Sequence, residues 1–295
     1  MVQELILACA PERQKELSLI WQEYGPVFAQ ARDKRGFSFD AGPYGLILFT
    51  LRSMQEMWVL GFAAQHAFYE YSAIVIWSVL FGSFQPEILS LVSTTKYASL
   101  LNHLESLRTS PDFYAIAWPN DLPRPEQGKP TDMSGAMTFD LLCMAAAYSF
   151  LHEVQHVKFS SGRHAPTSPH EEELLCDEFA RAMLLDKIEQ YATISGYPLR
   201  ILKTKRAMSI GLASFFLLVL TPIEAWGGSR SHPPVAQRIQ ALADSLLLPD
   251  TDDFWIYLAS LVIAQLRYCE ILIRPIKATS VKAFCTSLFA LLPNK

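Results

Sequence analysis

The feature that most constrains how this chain folds is an apolar stretch that contains two histidines and a glutamate. Residues 139–159 are apolar on almost every side of a helix, which is typical of a buried helix rather than a surface one. The four-residue spacing puts His152 and His156 on one face, one turn apart, where their Nε2 atoms can converge on one ion. Burying such groups is costly unless something compensates them. The sequence therefore predicts a metal site inside the core.

The residue after the first histidine makes the pattern H-E-x-x-H. Glu153 is placed to reach a water at the metal as a general base. The competing interpretation is a chance match on an ordinary helix. A chain of this composition contains roughly 0.01 such matches by chance, and this match falls on a stretch expected to be buried. We therefore expect a zinc site.

A third ligand is expected from the acidic segment 168–185. Glu173 and Asp177 are four residues apart, so Glu173 can bind the metal while Asp177 accepts an N–H from a ligand histidine. Glu172 has only Cys176 one turn further on, which favours Glu173. The alternative is that the glutamates form an acidic first turn stabilised by the helix dipole, and both interpretations can hold. We interpret Cys176 as a small buried side chain rather than a thiolate ligand.

His232 stands directly before a double proline, in "SHPPVAQRI". Proline is favoured in the first turn of a helix, which explains the sequence structurally. A histidine held rigidly at a helix start can also direct a donor at a developing oxyanion. The residues alone leave both interpretations open.

Composition excludes several classes of partner and compartment. The 295 residues have a formal net charge of −4 and no Lys/Arg block, so no nucleic-acid partner is expected. The five cysteines are widely spread with no C-x-x-C pair, which fits a reducing cytosol better than a disulfide framework.

The chain is expected to be mainly α, with at most a small sheet upstream of the metal site. Five prolines in residues 109–135 forbid a regular helix there and indicate a connector or a loop lining a cleft. Residues 113–118 are predicted as a short edge strand, and residues 37–50 as turns with short strands. We divide the chain into an N-terminal helical region on the substrate side, a Pro-rich connector and a zinc peptidase domain, at 1–108, 109–138 and 139–295. Helices are predicted at 139–159, 169–195, 199–225, 235–247, 252–273 and 276–292.

The most membrane-like stretch, residues 207–222, is predicted to be a core helix. It has 16 residues, fewer than the roughly 20 that a bilayer-spanning helix needs. A single crossing there would also separate His232 from the two metal histidines. The apolar run at residues 254–264 is shorter than this stretch and is interpreted in the same way. We therefore expect a cytoplasmic protein without an integral membrane span.

Two motifs carry a resemblance to known peptidases. H-E-x-x-H followed at short range by E-x-x-x-D-x-F-A, here Glu173 to Ala180, resembles the gluzincin pattern. The sequence "SHPPVAQRI" resembles the His-Pro-Pro…Arg-Ile signature of CAAX-prenyl-protease-type peptidases. The length and the mid-chain position of H-E-x-x-H look most like the Lit-type phage-exclusion peptidases. The resemblance is specific over residues 149–185 and 230–240 and says little about residues 1–108.

The resemblance implies a zincin-like helical metallopeptidase, an endopeptidase that acts on a protein substrate. It implies Zn²⁺ bound by His152, His156 and Glu173, with Glu153 as general base and with His232 and Arg238 supporting the site. It further implies a role in phage defence, with elongation factor Tu as a candidate substrate and a phage-derived activating peptide as a candidate partner.

Two other readings remain open: a regulatory or toxin-like binding module with a structural zinc site, and a membrane-associated CAAX-type peptidase. Glu153 argues against the first, because a structural site has no use for a carboxylate beside the water position. The topology of residues 207–222 argues against the second.

Overall fold

The chain is built mainly from helices, as expected. The computed structural model describes residues 2–93, 95–161 and 166–293. Over this part of the chain the helices are α1 (Val2–Cys9), α2 (Gln14–Tyr24), α3 (Leu51–Leu80), α4 (Thr95–Thr109), α5 (Met133–Ser161), α6 (Pro169–Leu185), α7 (Ile188–Ser195), α8 (Leu199–Leu220), α9 (Val235–Ser245), α10 (Asp253–Tyr268) and α11 (Val281–Phe289).

A small sheet lies upstream of α5 in the sequence. Strand β1 (Val27–Gln30) pairs in parallel with β3 (Leu46–Phe49), and β2 (Phe39–Ala41) pairs antiparallel with the other side of β3. Its strand order is β1-β3-β2, so β2 is an edge strand. A separate two-residue pairing joins β4 (Ser83–Phe84) to β5 (Ile276–Lys277). The expectation of a mainly α fold with a small sheet is confirmed.

Helix α5 lies at the centre of the core. It packs against α1, α3, α6 and α8, while α3 packs against α4 and α10. The sheet covers α5 through aromatic rings: the Phe150 ring lies 5.2 Å from Phe28, 4.5 Å from Phe39 and 5.6 Å from Phe49, measured between centroids. Because Phe150 is two residues before His152, this packing brings the edge strand close to the two histidines.

Helix α5 begins six residues earlier than predicted. Asp132 caps it, since its Oδ1 accepts the Gly135 N–H at 2.8 Å and its carbonyl accepts the Ala136 N–H. Helix α8 ends at Leu220 rather than at 225, because Pro222 disfavours helical geometry in the residue before it. The last predicted helix starts only at Val281, where Ser280 caps it and β5 precedes it.

The predicted helix 169–195 is two helices, α6 and α7. Carbonyl groups at the end of α6 accept hydrogen bonds from distant arginines: Met183 from Arg13 at 3.2 Å, and Leu184 from Arg206 at 2.6 Å. These side chains satisfy carbonyls that a continuing helix would bond internally, so the helix stops. Gly196 ends α7 in the left-handed conformation, with φ 73°, as expected from its position.

The prediction of a strand at residues 113–118 was wrong. Phe113–Ala115 forms a 3₁₀ turn, which begins where the Asp112 side chain accepts the Tyr114 N–H. In the described residues from 110 to 132, a second 3₁₀ turn at Pro125–Gln127 is the other helical segment, in agreement with the proline density.

The two apolar runs near the C-terminus are core helices. Most of the α8 side chains from Ala207 to Leu218 are buried, and so are nearly all those of α10. By length and composition, one helix of the described chain, Met133–Ser161, is apolar enough to cross a membrane. Of the most apolar 18-residue stretch of this helix, 56% is buried inside the protein. The boundaries drawn at 108 and 138 stay a prediction.

Candidate metal centre

Two histidines of α5 bring their ring nitrogens together as their spacing predicts. The Nε2 atoms of His152 and His156 lie 3.1 Å apart. His152 is 8% exposed, so its imidazole is inside the protein rather than on its surface.

The Glu173 carboxylate faces both of these nitrogens. Its Oε2 is 3.5 Å from His152 Nε2, and its Oε1 is 3.4 Å from His156 Nε2. Ligands about 2.0–2.1 Å from a tetrahedral zinc ion stand roughly 3.3 Å from each other. The three donors therefore have the separations that such an ion requires.

A carboxylate holds the other nitrogen of each ring. Asp177 Oδ1 lies 2.9 Å from His152 Nδ1, and Glu172 Oε1 lies 2.7 Å from His156 Nδ1. An Nδ1–H that donates to a carboxylate leaves the Nε2 lone pair free, which is the tautomer that a metal-binding histidine needs. Both rings are thus oriented with Nε2 toward Glu173.

The acidic surroundings favour positive charge at the two rings. Burial alone would lower the pKa of His152, but the bonds to Asp177 and Glu173 raise it to about 9. For His156, burial is likewise outweighed by Glu173 and Glu172, and its pKa is also raised to about 9. The histidine bonds in turn hold the pKa of Glu173 well below its usual range, against the effect of its burial. The cluster therefore favours a cation at its centre.

Glu153 is held beside the histidines by the edge strand. Its Oε2 accepts the backbone N–H of Ala41 in β2 at 2.8 Å. Burial raises its pKa, against the opposing influence of His152 and His156. A carboxylate with a raised pKa is a stronger base than an ordinary one, which suits proton transfer near neutral pH.

Arg238 joins two of the α6 carboxylates at the site, Asp177 and Glu173. Its Nε and Nη2 donate to the two Asp177 oxygens at 2.7 Å each, and its Nη1 lies 3.0 Å from Glu173 Oε2. The Arg238 charge, working against burial, keeps the pKa of Asp177 low. Tyr148, one turn before His152, places its hydroxyl 3.3 Å from Asp177 Oδ1.

His232 lies at the open edge of the centre. Its side chain is 59% exposed, and its Nε2 is 3.6 Å from Glu173 Oε1. The turn that carries it is closed by the Ser229 N–H to His232 carbonyl bond at 2.8 Å. Gly228 has a φ of 91°, and a Cβ there would stand 2.9 Å from Pro234 N, so this turn needs glycine.

Cys176, which the sequence analysis interprets as a small buried side chain, is another candidate metal ligand. Ligand atoms of His152, His156 and Cys176 all lie within 4.8 Å of one another, so this buried group could hold a metal ion. Burial raises the pKa of the Cys176 thiol, which disfavours the thiolate that binds metal. Glu173, which is held ionised and lies near both Nε2 atoms, is the better donor.

The cluster opens into a cavity of about 940 Å³. Its lining includes the residues of the cluster, residues 36–37 and 39–42, the end of α8 and the loop around His232. The lining includes Arg108, but the described Pro-rich residues 110–132 do not contribute to it.

Three participants were missed from the sequence. Glu172 was considered only as a rival ligand, although a carboxylate adjacent to Glu173 was available for the second histidine. Tyr148 stands four residues before His152, so helical spacing alone would have placed it on the same face. The role of the Ala41 N–H cannot be recognised in the sequence, because every residue except proline has a backbone N–H.

These features define a mainly helical protein with a buried histidine–carboxylate cluster, able to hold a metal ion, at the base of a cavity. The chain matches the family model Peptidase U49 over residues 47–258, and it belongs to this family of peptidases. The matched range contains every residue of the cluster. No curated protein and no solved structure matches the chain.

Proposed function

We propose that this peptidase is a zinc-dependent endopeptidase with His152, His156 and Glu173 as ligands. The observation that carries the proposal is the triangle of two Nε2 atoms and one carboxylate with mutual separations of 3.1–3.5 Å. Imidazole nitrogen and carboxylate oxygen are donors that zinc accepts, and three protein ligands are typical of catalytic rather than structural zinc. Zinc bound there supplies Lewis-acid chemistry, activating a water molecule and polarising the carbonyl of the scissile peptide.

Glu153 is the general base. It accepts the proton of the attacking water and delivers it to the leaving amine, which is the usual double role of one carboxylate. The Ala41 N–H fixes one oxygen of Glu153 and leaves the other for the reaction. Asp177 and Glu172 orient the imidazoles, and Arg238 holds Asp177 in place.

His232 is the candidate for stabilising the oxyanion. Its exposed ring at the edge of the cavity leaves its Nε2 able to approach a substrate carbonyl, while Ser231 Oγ lies 2.8 Å from its Nδ1. A donor that strengthens its bond as negative charge develops accelerates the chemical step.

An extended protein segment is the substrate that the cavity fits best. Gly42 N–H bonds to Leu46 across the sheet, whereas Ala41 N–H points outward to Glu153. Alternate residues of an antiparallel strand face its neighbour, so Phe39 and Ala41 turn their backbone polar groups toward the cavity. Such an edge can pair with a peptide strand. This assigns a substrate-side role to the N-terminal region.

The biological setting proposed here follows the resemblance to Lit-type peptidases: phage defence in the cytoplasm, with elongation factor Tu as the first substrate to test. A phage-derived peptide is the proposed activator. These assignments rest on the motifs and on membership of the peptidase family, not on the cavity.

The test compares the wild type with Glu153→Gln. Both proteins are incubated with purified elongation factor Tu and with host lysate, with and without phage-infected extract. Fragments are identified by mass spectrometry and bound zinc by elemental analysis. We expect one zinc per chain in both proteins and cleavage by the wild type alone. Glu171→Gln, an exposed position in the same helical turn as Glu173, is the matched control and should behave as wild type. Absence of zinc from both proteins would refute the metal assignment, and zinc without cleavage would favour a structural site.

A further inference from the structure

The lining of the cavity contains apolar side chains as well as the histidine–carboxylate cluster. They include Phe39 of the edge strand and Phe216, Leu217 and Leu220 from the end of α8. Arg108, the penultimate residue of α4, also lines this cavity. Among the described residues, Arg108 and Arg238 are the two arginines of this lining.

Arg108 is anchored by backbone contacts, with no carboxylate of the described residues in contact with its guanidinium. Its Nη2 donates to the Leu220 carbonyl at 3.0 Å, and its own carbonyl accepts the Gly36 N–H at 3.1 Å. Within the described chain, no carboxylate oxygen lies within 4.0 Å of its guanidinium nitrogens. Its remaining N–H donors are available to a ligand.

The neighbouring arginines are engaged differently. Arg52 is buried and donates to Asp33 and to the Ser110 carbonyl, and Arg238 is bound by Asp177 and Glu173. The guanidiniums of Arg52 and Arg238 are thus both bound to carboxylates of the protein itself.

The buried carboxyl of Glu56 is close enough for Arg108 to lower its pKa. It nevertheless accepts no hydrogen bond from the described residues and is not a direct partner. Arg52 and Arg238 each contact a carboxylate, whereas the guanidinium of Arg108 contacts none among the described residues.

We infer that Arg108 determines substrate specificity by binding a carboxylate of the peptide substrate. The inference rests on the proposed peptidase function and adds the substrate class: a peptide with a carboxylate next to apolar side chains. The planar guanidinium matches a carboxylate with two parallel bonds, and apolar walls strengthen such a contact by excluding water. An Asp or Glu side chain and a C-terminal carboxylate both supply this group.

The experiment measures peptide retention in a background that does not cleave. The full-length Glu153→Gln protein, immobilised, is compared with versions that also carry Arg108→Gln, Arg108→Met or Arg108→Lys. Arg200→Gln, an exposed arginine on α8 outside the cavity lining, makes the same charge change and is the matched control. Two random dodecamer libraries are applied, one with free and one with amidated C-termini. Retained peptides are sequenced by mass spectrometry, and thermal unfolding verifies that each variant folds.

We expect the parent to retain carboxylate-bearing peptides about ten-fold or more over their amide counterparts. Arg108→Gln and Arg108→Met should abolish this preference, Arg108→Lys should keep part of it, and Arg200→Gln all of it. Enrichment of Asp and Glu in the amidated library identifies a side-chain carboxylate. Retention confined to the free library identifies the C-terminus.

A parent without acidic preference, or a preference unchanged in the folded Arg108→Gln or Arg108→Met protein, would overturn the inference. The proposed peptidase function fails separately, if wild-type protein cleaves no peptide although retention still depends on Arg108.

Discussion

At the residue scale, three neighbouring carboxylates make different contacts in the candidate metal centre. Glu173 spans the two Nε2 atoms, while Asp177 and Glu172 each bind one Nδ1. Two adjacent glutamates thus face the same pair of histidines from different sides. The assignment of Glu173 as ligand stays a prediction, and its difference from Glu172 makes it testable.

We expect Glu173→Ala to abolish tight zinc binding and Glu172→Ala to weaken it about 10–100-fold, the usual effect of removing an orienting partner. Competition with a chromogenic chelator measures both affinities. Glu171→Ala, exposed in the same helical turn, should leave the affinity unchanged. If Glu172→Ala were the more damaging of the two, the roles of the neighbouring glutamates would be reversed.

His232→Phe tests whether the exposed histidine acts in the transition state. It should lower kcat about 100-fold or more, as loss of an oxyanion donor does, with KM and zinc content nearly unchanged. Kinetics on a cleaved peptide and elemental analysis give the three quantities. Loss of zinc would make His232 a fourth ligand instead.

Glu56 is predicted to make stability depend on pH. It is fully buried, its oxygens have no hydrogen-bond partner among the described residues, and burial raises its pKa to about 7, against the lowering effect of Arg108 and Arg52. The folded protein thus binds this proton more tightly than the unfolded chain. Stability should therefore be retained below about pH 4.5 and lost as the pH rises to about 7, by on the order of 3 kcal/mol.

Glu56→Gln removes this titration. Urea unfolding at pH 5 and pH 8 should show a smaller loss of unfolding free energy for the variant than for the wild type. Glu126→Gln, at an exposed position of the Pro125–Gln127 turn, is the control. Equal pH dependence in wild type and Glu56→Gln would contradict the prediction.

At the element scale, the end of α6, the helix that carries Glu173, is set by side chains from distant parts of the chain. Arg13 and Arg206 donate hydrogen bonds to carbonyl groups of its last turn, and Arg206 also forms an ion pair with Glu12. The Arg206 and Glu12 side chains are 4% and 1% exposed, so the pair is buried. The N-terminal segment thereby ties the helix that carries Glu173 to α8.

Arg206→Met should lower the free energy of unfolding by about 3–5 kcal/mol, because it leaves Glu12 buried without its partner. The double variant Glu12→Gln/Arg206→Met should recover part of the loss. Lys187→Met, which breaks a half-exposed ion pair with Glu16, should cost no more than about 1 kcal/mol. Urea denaturation compares them, and equal costs for Arg206→Met and Lys187→Met would show that the buried pair has no special weight.

At the scale of the whole molecule, the apolar helices are covered by one another. Helices α8 and α10 pack together, α10 also contacts α3, and α5 packs against α8. Their apolar side chains belong to one continuous core cluster. Burial in this core accounts for the hydropathy of residues 207–222 and 254–264 without a bilayer.

We accordingly expect an alkaline carbonate wash to release the protein from any membrane fraction into the supernatant. Peripheral attachment does not survive that treatment, whereas an integral span does. An unrelated integral membrane protein in the same extract serves as the control. Protein that remains in the pellet until detergent is added would contradict the expected topology.

Local periodicity explains what could be derived from the sequence. The spacing of His152 and His156, and of Glu173 and Asp177, is decided within one or two helical turns, so these pairs were predicted without any knowledge of the fold. The same holds for the buried character of α5 and α8, and for the Gly196 helix end. Motif resemblance added Arg238 and His232, which the structure brings to the same centre.

Tertiary structure decided the features that depend on groups far apart in the chain. The break after α6 depends on Arg13, which is 169 residues from Ala182, and on Arg206, which belongs to α8. Only folding brings these two side chains to the carbonyl groups at the end of α6. The edge strand meets Glu153 across 112 residues, through a backbone N–H that carries no sequence signal. The Arg108 side chain reaches the cavity because α4 ends beside α8, a packing outcome that no local pattern encodes.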